Sequence, residues 1–280
     1  MESYKSLKKH FHQSLNDVFS SREIDYFFFQ ILYKILKWQK IDYVLNQENF
    51  SDSEFLNFLN HAILELKLNR PIQHILGYVS FYDLEIKVNG DVLIPRPETE
   101  ELVSIIVNDL SNANTLLDIG TGSGCIPLAV KYKFPHLNCI GTDVSIKAIK
   151  VAQENSARLG IDVDFIHQDV FASSFPLDSI DILVSNPPYI PKKELSSMSP
   201  NVVDYEPHSA LFVPDNNPLM FYSIIAEMGT KILNKNGKIY FEIHEEYGDQ
   251  IVNLLSDLNY SNVLLFQDLQ GKNRIVTASI

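Results

Sequence analysis

All 11 glycines and all 13 prolines of this 280-residue chain lie beyond residue 70. A stretch that long without either backbone breaker has no internal reason to turn sharply, and its apolar residues recur at helical spacing. In "REIDYFFFQILYKILKW", Ile24, Phe27, Phe28, Ile31, Ile35 and Trp38 keep to the i, i+3, i+4 rule. The run "YFFF" within it reads as bundle core, with one face left open to a contact. In "SDSEFLNFLNHAIL", Ser51 or Ser53 is the expected N-cap of a further helix. Residues 1–70 are therefore expected to form a small all-α domain.

At Pro71 the texture changes. "RPIQHILGYVSFYDLEIKVNGDVLIPRPETEE" is punctuated by Pro71 and Gly77 and then alternates in short runs, which predicts a linker with a β-hairpin over 71–98. Beyond it come strand-like runs at "TLLDIG", "LNCIGTD", "VDFIHQD", "IDILVSN", "GKIYFEIH", "NVLLFQD" and "NRIVTASI", with helical stretches between most of them. Alternation of this kind predicts an α/β domain over 99–280, a mostly parallel sheet with helices on both faces.

The net charge of −12 is unevenly placed: residues 1–75 carry 9 basic and 9 acidic side chains, so all of it lies further on. Such a field disfavours a phosphate backbone and favours a basic protein partner. Cys125 and Cys139 are too few for a disulfide framework or a cysteine-based zinc site. "IHEEYGDQ" approaches the zinc-binding H-E-x-x-H, but residue 248 is glycine, so no metal is expected. The opening "MESYKSLKKHFHQSLNDVF" contains no continuous apolar signal region, and "YFFFQILY" is far short of a membrane span. The expectation is a cytoplasmic monomer with no membrane attachment and no stable nucleic-acid partner.

"LLDIGTGSGCIPLAV" runs a strand through Gly120, Thr121, Gly122, Ser123 and Gly124 into a helix. Glycines there permit a tight turn and let a ligand approach bare N–H groups at a helix start. The third glycine of a dinucleotide fingerprint would fall at Cys125, which argues against a hydride-transferring dehydrogenase, and no lysine follows to make a phosphate loop. What remains is D-x-G-x-G-x-G, with Asp118 before the turn and Asp143 ending the next strand. Asp143 can accept hydrogen bonds from vicinal ribose hydroxyls, and Asp118 is placed to orient an amino-acid end. A cofactor with a ribose and an amine but no pyrophosphate suits these residues; S-adenosylmethionine is one.

"VSNPPYI" ends a later strand on Asn186, Pro187, Pro188 and Tyr189. Two prolines stiffen the arm on which Asn186 is presented. The Asn186 side-chain oxygen and the Pro187 carbonyl offer two acceptors at fixed separation, a match for a planar NH2 group, and Tyr189 offers a ring for stacking.

The glycine loop and "NPPYI" together resemble amino-methyltransferases of the class I S-adenosylmethionine fold, with its Rossmann-like seven-stranded sheet. "RPIQHILG", "VLIPRPETEELV", "DYEPHSALF" and "DLQGKNRIV", in this order, look like the glutamine methyltransferases that modify peptide chain release factors. The resemblance implies a substrate, the glutamine of the Gly-Gly-Gln loop in release factors, methylated on its side-chain amide nitrogen, with the helical domain binding that substrate. It also implies that Gly120 to Gly124 and Asp143 hold the cofactor, that Asp169 and Val170 flank the adenine, and that Asn186 to Tyr189 hold the glutamine amide, with Asn186 also bordering the cofactor. Many relatives carry an aromatic where Val170 stands, so either Val170 or Phe171 covers the adenine. The alternative within the same fold is methylation of an adenine N6 in nucleic acid, a chemistry that shares NPPY.

Three further expectations concern the surroundings of this site. Thr99 reads as the N-cap of a helix whose first turn holds Glu100 and Glu101. Arg96, between two prolines, is expected to border the pocket. "DYEPHSALF" is expected to form a loop over it, with Glu206 and Pro207 as the rigid part and His208 as a loop histidine rather than a catalyst.

Overall fold

The computed structural model describes residues 2–110, 113–172 and 179–280. Backbone contacts divide the chain into two units, one of Met1–Gly77 with Pro200–Tyr205 and one of Tyr78–Ser199 with Glu206–Ile280.

The first unit is built from α1 (Tyr4–Leu15), α2 (Ser21–Leu36), α3 (Lys40–Asn46), α4 (Ser53–Lys67) and α5 (Ile72–Leu76). Ser20 and Glu23 close a reciprocal capping box on α2. Neither serine predicted to cap α4 does so. Asp52 between them accepts the Phe55 N–H at 2.8 Å, Ser53 is already helical, and Ser51 is buried. Phe28 is the hub of the core, its ring within 5.8 Å of Phe11 and 6.2 Å of Phe55. The rest of "YFFF" is less buried than the sequence suggests, and Tyr26 is 49% exposed. Four consecutive residues fan around a helix at about 100° each, so they cannot share one face. Trp38 lies past the left-handed Lys37 that ends α2 and packs on Tyr4. The Tyr205 hydroxyl, from the later segment of the unit, donates to the Leu68 carbonyl at 2.7 Å.

The second unit opens with a hairpin, β1 (Tyr78–Phe81) and β2 (Leu84–Lys87). Its two-residue turn holds Tyr82 and Asp83 at φ 47° and 68°, the conformation that matches strand twist. Then follow α6 (Pro97–Asp109), β3 (Thr115–Ile119), α7 (Cys125–Lys133), β4 (Asn138–Asp143), α8 (Ile146–Leu159), β5 (Asp164–His167), β6 (Ile180–Ser185) and β7 (Ile190–Pro191). After the short helix α9 (Pro200–Val203) of the first unit come β8 (Phe212–Val213), α10 (Met220–Ile232), β9 (Leu233–Glu242), α11 (Gly248–Asp257), β10 (Ser261–Gln267) and β11 (Asn273–Ser279).

Each of the seven runs read as strands becomes a strand of one sheet, ordered β10-β11-β9-β6-β3-β4-β5. The five from β9 to β5 are parallel, and β11 pairs antiparallel with both β9 and β10. Alternate side chains feed two cores. Leu116, Ile182 and Tyr240 pack with α6, α7, α8 and the hairpin, while Leu117, Leu183 and Phe241 pack with α10 and α11. Cys125 and Cys139 are free thiols buried in the first of these cores. Among the described residues no helix is long and apolar enough to cross a membrane.

Candidate active site

Strand register assembles the site. Ile119 of β3 pairs with Thr142 of β4 on one side and Ser185 of β6 on the other. One residue further on, Gly120 is therefore flanked by Asp143 and Asn186. Chain order reverses at this point, because β4 lies to one side of β3 and β6 to the other. The C-terminal ends of parallel strands at such a switch are where open α/β sheets bind ligands.

The glycine loop is tied down by its own backbone. The N–H groups of Gly120 and Thr121 both donate to the Thr142 carbonyl at 2.9 Å. Gly122, at φ 55°, donates to Asp143 Oδ2 at 2.9 Å, and the Ser145 N–H donates to Oδ1 at 2.8 Å. A carboxylate has about four acceptor positions, so Asp143 keeps capacity for a diol. Burial raises its carboxyl above the usual range, and the two backbone donors work against that rise. At Gly124, φ 79°, a Cβ would meet the Phe165 ring at 2.8 Å, so the loop enters α7 only as glycine.

A cavity of about 330 Å³ lies over these strand ends. Of the residues predicted for the site, Gly120, Gly122, Asp143, Asp169, Val170, Phe171, Asn186, Pro187 and Pro188 line it. Thr121, Ser123 and Gly124 do not; Ser123 is buried behind the loop, where its carbonyl accepts from Asn155. Val170 and Phe171 both face the cavity, with Val170 packed toward the α10 core and Phe171 set against Phe221 at 5.2 Å. The Asp169 carboxylate accepts the Phe171 N–H at 2.9 Å and so shapes that turn.

Asp118 is fully buried and does not line the cavity. Neither of its carboxylate oxygens, nor the Thr121 hydroxyl, has a hydrogen-bond partner among the described residues. Burial pushes the Asp118 carboxyl up to about 7, with the Asp143 charge adding to the rise and the nearby Thr121 hydroxyl opposing it. These oxygens lie directly before the glycine loop without opening onto the cavity.

Arg96 and Glu206 do not line the cavity either, contrary to the expectation for Arg96. They join two of its walls. Buried Glu206 accepts the Ile94 N–H at 2.9 Å and the Arg96 guanidinium, linking the Asp91–Leu93 wall to the wall of Pro207, Ser209 and Ala210. His208 is not among the cavity-lining residues.

On the β6 side the support comes from side chains. Thr99 is not the cap of α6, which begins at Pro97 after Arg96 and carries Glu98 and Glu100 in its first turn. Buried instead, Thr99 donates its hydroxyl to Glu242 Oε2 at 2.7 Å and accepts from Asn186 Nδ2 at 3.3 Å. Tyr189 turns away from the main cavity. Its hydroxyl donates to Glu242 Oε1 at 3.4 Å, and its ring borders a second cavity of about 200 Å³ beside His244 and Arg274. The sequence reading missed Glu242, together with Asp91–Leu93, Phe221 and Ile225 of the main cavity, since no local pattern marks residues that meet only through tertiary packing.

An open parallel sheet, a glycine loop backed by orphaned acceptors, an acid ending β4 and a rigid Asn-Pro-Pro ending β6 define a class I methyltransferase. Residues 98–203 match the Methyltransferase small domain family. The solved catalytic domain of hMettl16, in complex with the MAT2A 3'UTR hairpin 6, shares this fold at a TM-score of 0.54 and 16% identity, over 83% of each chain. The release factor glutamine methyltransferase of Flavobacterium psychrophilum is 39% identical over 97% of this chain and 97% of its own. That of Bacteroides thetaiotaomicron is 40% identical over 95% of this chain and 96% of its own. The chain belongs to the release factor glutamine methyltransferase family.

Proposed function

We propose that this chain methylates the side-chain amide nitrogen of the Gly-Gly-Gln glutamine in peptide chain release factors, using S-adenosylmethionine. The observation that carries the reading is the placement of Asn186 and Pro187 in one cavity with Gly120, Gly122 and Asp143.

The cavity residues fit the cofactor. Asp143 would accept the ribose hydroxyls, Gly120 and Gly122 would admit the chain close to backbone, and Val170 and Phe171 would cover the adenine, while Asp118 and Thr121 stay buried off the cavity. When bound, S-adenosylmethionine supplies an electrophilic methyl group on a sulfonium. An amide nitrogen is a poor nucleophile because its lone pair is delocalised. Asn186 Oδ1 and the Pro187 carbonyl accept its two hydrogens and hold the nitrogen in line, and withdrawal of proton density raises its reactivity. Alignment of this kind supplies most of the acceleration, and as the nitrogen takes the methyl and positive charge builds it gives one proton to solvent water, without a dedicated general base.

The helical unit docks the protein substrate in this reading. Support comes from α3 and the turn after it, where Ile41, Val44, Leu45 and Phe50 are 60%, 57%, 76% and 67% exposed. Leu45→Asp is expected to raise KM for an intact release factor while leaving the rate on a short Gly-Gly-Gln peptide unchanged. An equal effect on both would remove the docking role.

The direct test is mass analysis of the Gly-Gly-Gln peptide after incubation of a release factor with this protein and S-adenosylmethionine. One methyl on the glutamine side chain is the expected result. Methyl transfer to adenine instead would keep the clamp chemistry and overturn the substrate.

A further inference from the structure

Glu242 ends β9, is 1% exposed, and takes no part in the steps above. Its two oxygens anchor two separate threads, Oε2 accepting from Thr99 at 2.7 Å and Oε1 from Tyr189 at 3.4 Å. The Thr99 oxygen in turn faces Asn186 Nδ2 at 3.3 Å. This chain has a direction. An ionised carboxylate offers only lone pairs, so Thr99 must give it its single proton. That leaves the hydroxyl with lone pairs alone, and the Asn186 group facing it must be the NH2. The orientation of the Asn186 amide, otherwise two-fold ambiguous, is thereby determined.

We propose that Glu242 is a positioning residue that, relayed through Thr99, holds Asn186 with its amide oxygen available to the substrate nitrogen. The inference rests on the methyl-transfer reading given above. Glu242 never touches the substrate; its negative charge sets the polarity of a two-bond relay. When it is protonated, the acid can donate to Thr99, Thr99 can donate onward, and Asn186 can turn its oxygen to accept. The Asn186 NH2 then faces the substrate NH2, donor against donor.

The surroundings of Glu242 set the pH at which that reversal begins. Burial pushes its carboxyl up to about 7, the largest effect. The Thr99 and Tyr189 hydroxyls and the Arg274 charge on β11 pull it down, and Glu98 on α6 pushes it up. Tyr222 of α10 and Cys125 of α7 also lie in its field, both as neutral groups.

The test compares wild type with Thr99→Val, Thr99→Ser and Glu242→Gln, measuring kcat and KM on the glutamine peptide, the cofactor Kd and Tm. Thr99→Val is expected to lower kcat about tenfold to 100-fold, the scale of a small misplacement of a reacting group. Its cofactor Kd stays at the wild-type value. Thr99→Ser restores the hydroxyl and with it kcat to within about threefold, because the same donor and acceptor return. Wild-type kcat falls below a pH of about 7, and Glu242→Gln lowers kcat and abolishes that limb. A folded Thr99→Val with wild-type kcat, or a loss that Thr99→Ser shares equally, overturns the inference and leaves the methyl-transfer reading intact. Should Thr99→Val and Glu242→Gln fail to fold, the wild-type profile decides. A limb near 7 with unchanged Tm and cofactor Kd upholds the relay, and a flat kcat overturns it. A wild type that labels no glutamine overturns the methyl-transfer reading, and the relay with it.

Discussion

The two sides of the cavity are made of different materials. Toward β3 and β4 the wall is main chain, with Gly120, Thr121 and Gly122 bonded to Thr142 and Asp143 through backbone N–H groups. Toward β6 it is a side chain, Asn186, steadied from behind by Thr99 and Glu242. A wall of backbone tolerates many side-chain changes and fails where a glycine or the Asp143 carboxylate that ties it is lost. A wall of relayed side chains fails one oxygen at a time. Binding and turnover should therefore come apart under mutation.

The largest separation is expected at Asn186. Asn186→Ala should lower kcat by about 10³-fold, the scale seen on removing a preorganised group that stabilises a transition state. Its cofactor Kd, followed by calorimetry, should stay within about twofold. Loss of cofactor binding alone would mean that the β6 wall belongs to the cofactor and not to the amide. Asp143→Ala should show the reverse, with Kd weakened about tenfold to 100-fold, equivalent to ~1.5–3 kcal/mol for hydrogen bonds to a charged acceptor. An unchanged Kd would remove the ribose assignment. The smallest effect concerns stability. Asp118 holds its proton more tightly folded than unfolded, so its contribution to stability is lost as pH rises from about 4 to about 7. Asp118→Asn removes that loss. Its stability relative to wild type should grow by on the order of 1–2 kcal/mol between about pH 4 and pH 5.5, read from denaturant midpoints at each pH. A difference that does not change with pH would show that folding leaves the Asp118 pKa where it is in the unfolded chain.

What was legible in the sequence follows the same division. The glycine loop, Asp143 and Asn-Pro-Pro are local backbone statements, written in neighbouring residues, and each sits in or directly behind the cavity. All seven strands were legible because apolar runs of strand length lie between helical stretches. The relay was not, because Thr99 and Glu242 stand 143 residues apart and Asn186 a further strand away. In sequence, Thr99 followed by two glutamates has the form of a helix cap, and only the packing of α6 against β9 turns its hydroxyl inward. Tyr189 was misread for a related reason. A ring after two prolines can point to either side of the strand end, and the buried Glu242 carboxylate decides which.

Cys125 follows the glycine loop directly, and Cys139 lies in β4, both shut in one core with burial pushing their thiols up to about 12. Protonated and enclosed, neither sulfur meets an alkylating reagent while the sheet is intact. Their labelling rate in native buffer therefore counts the moments when the α/β unit opens. A ligand that binds only the closed unit slows that rate in proportion to its occupancy. The fold carries its own clock for opening, in two atoms that take no part in its chemistry.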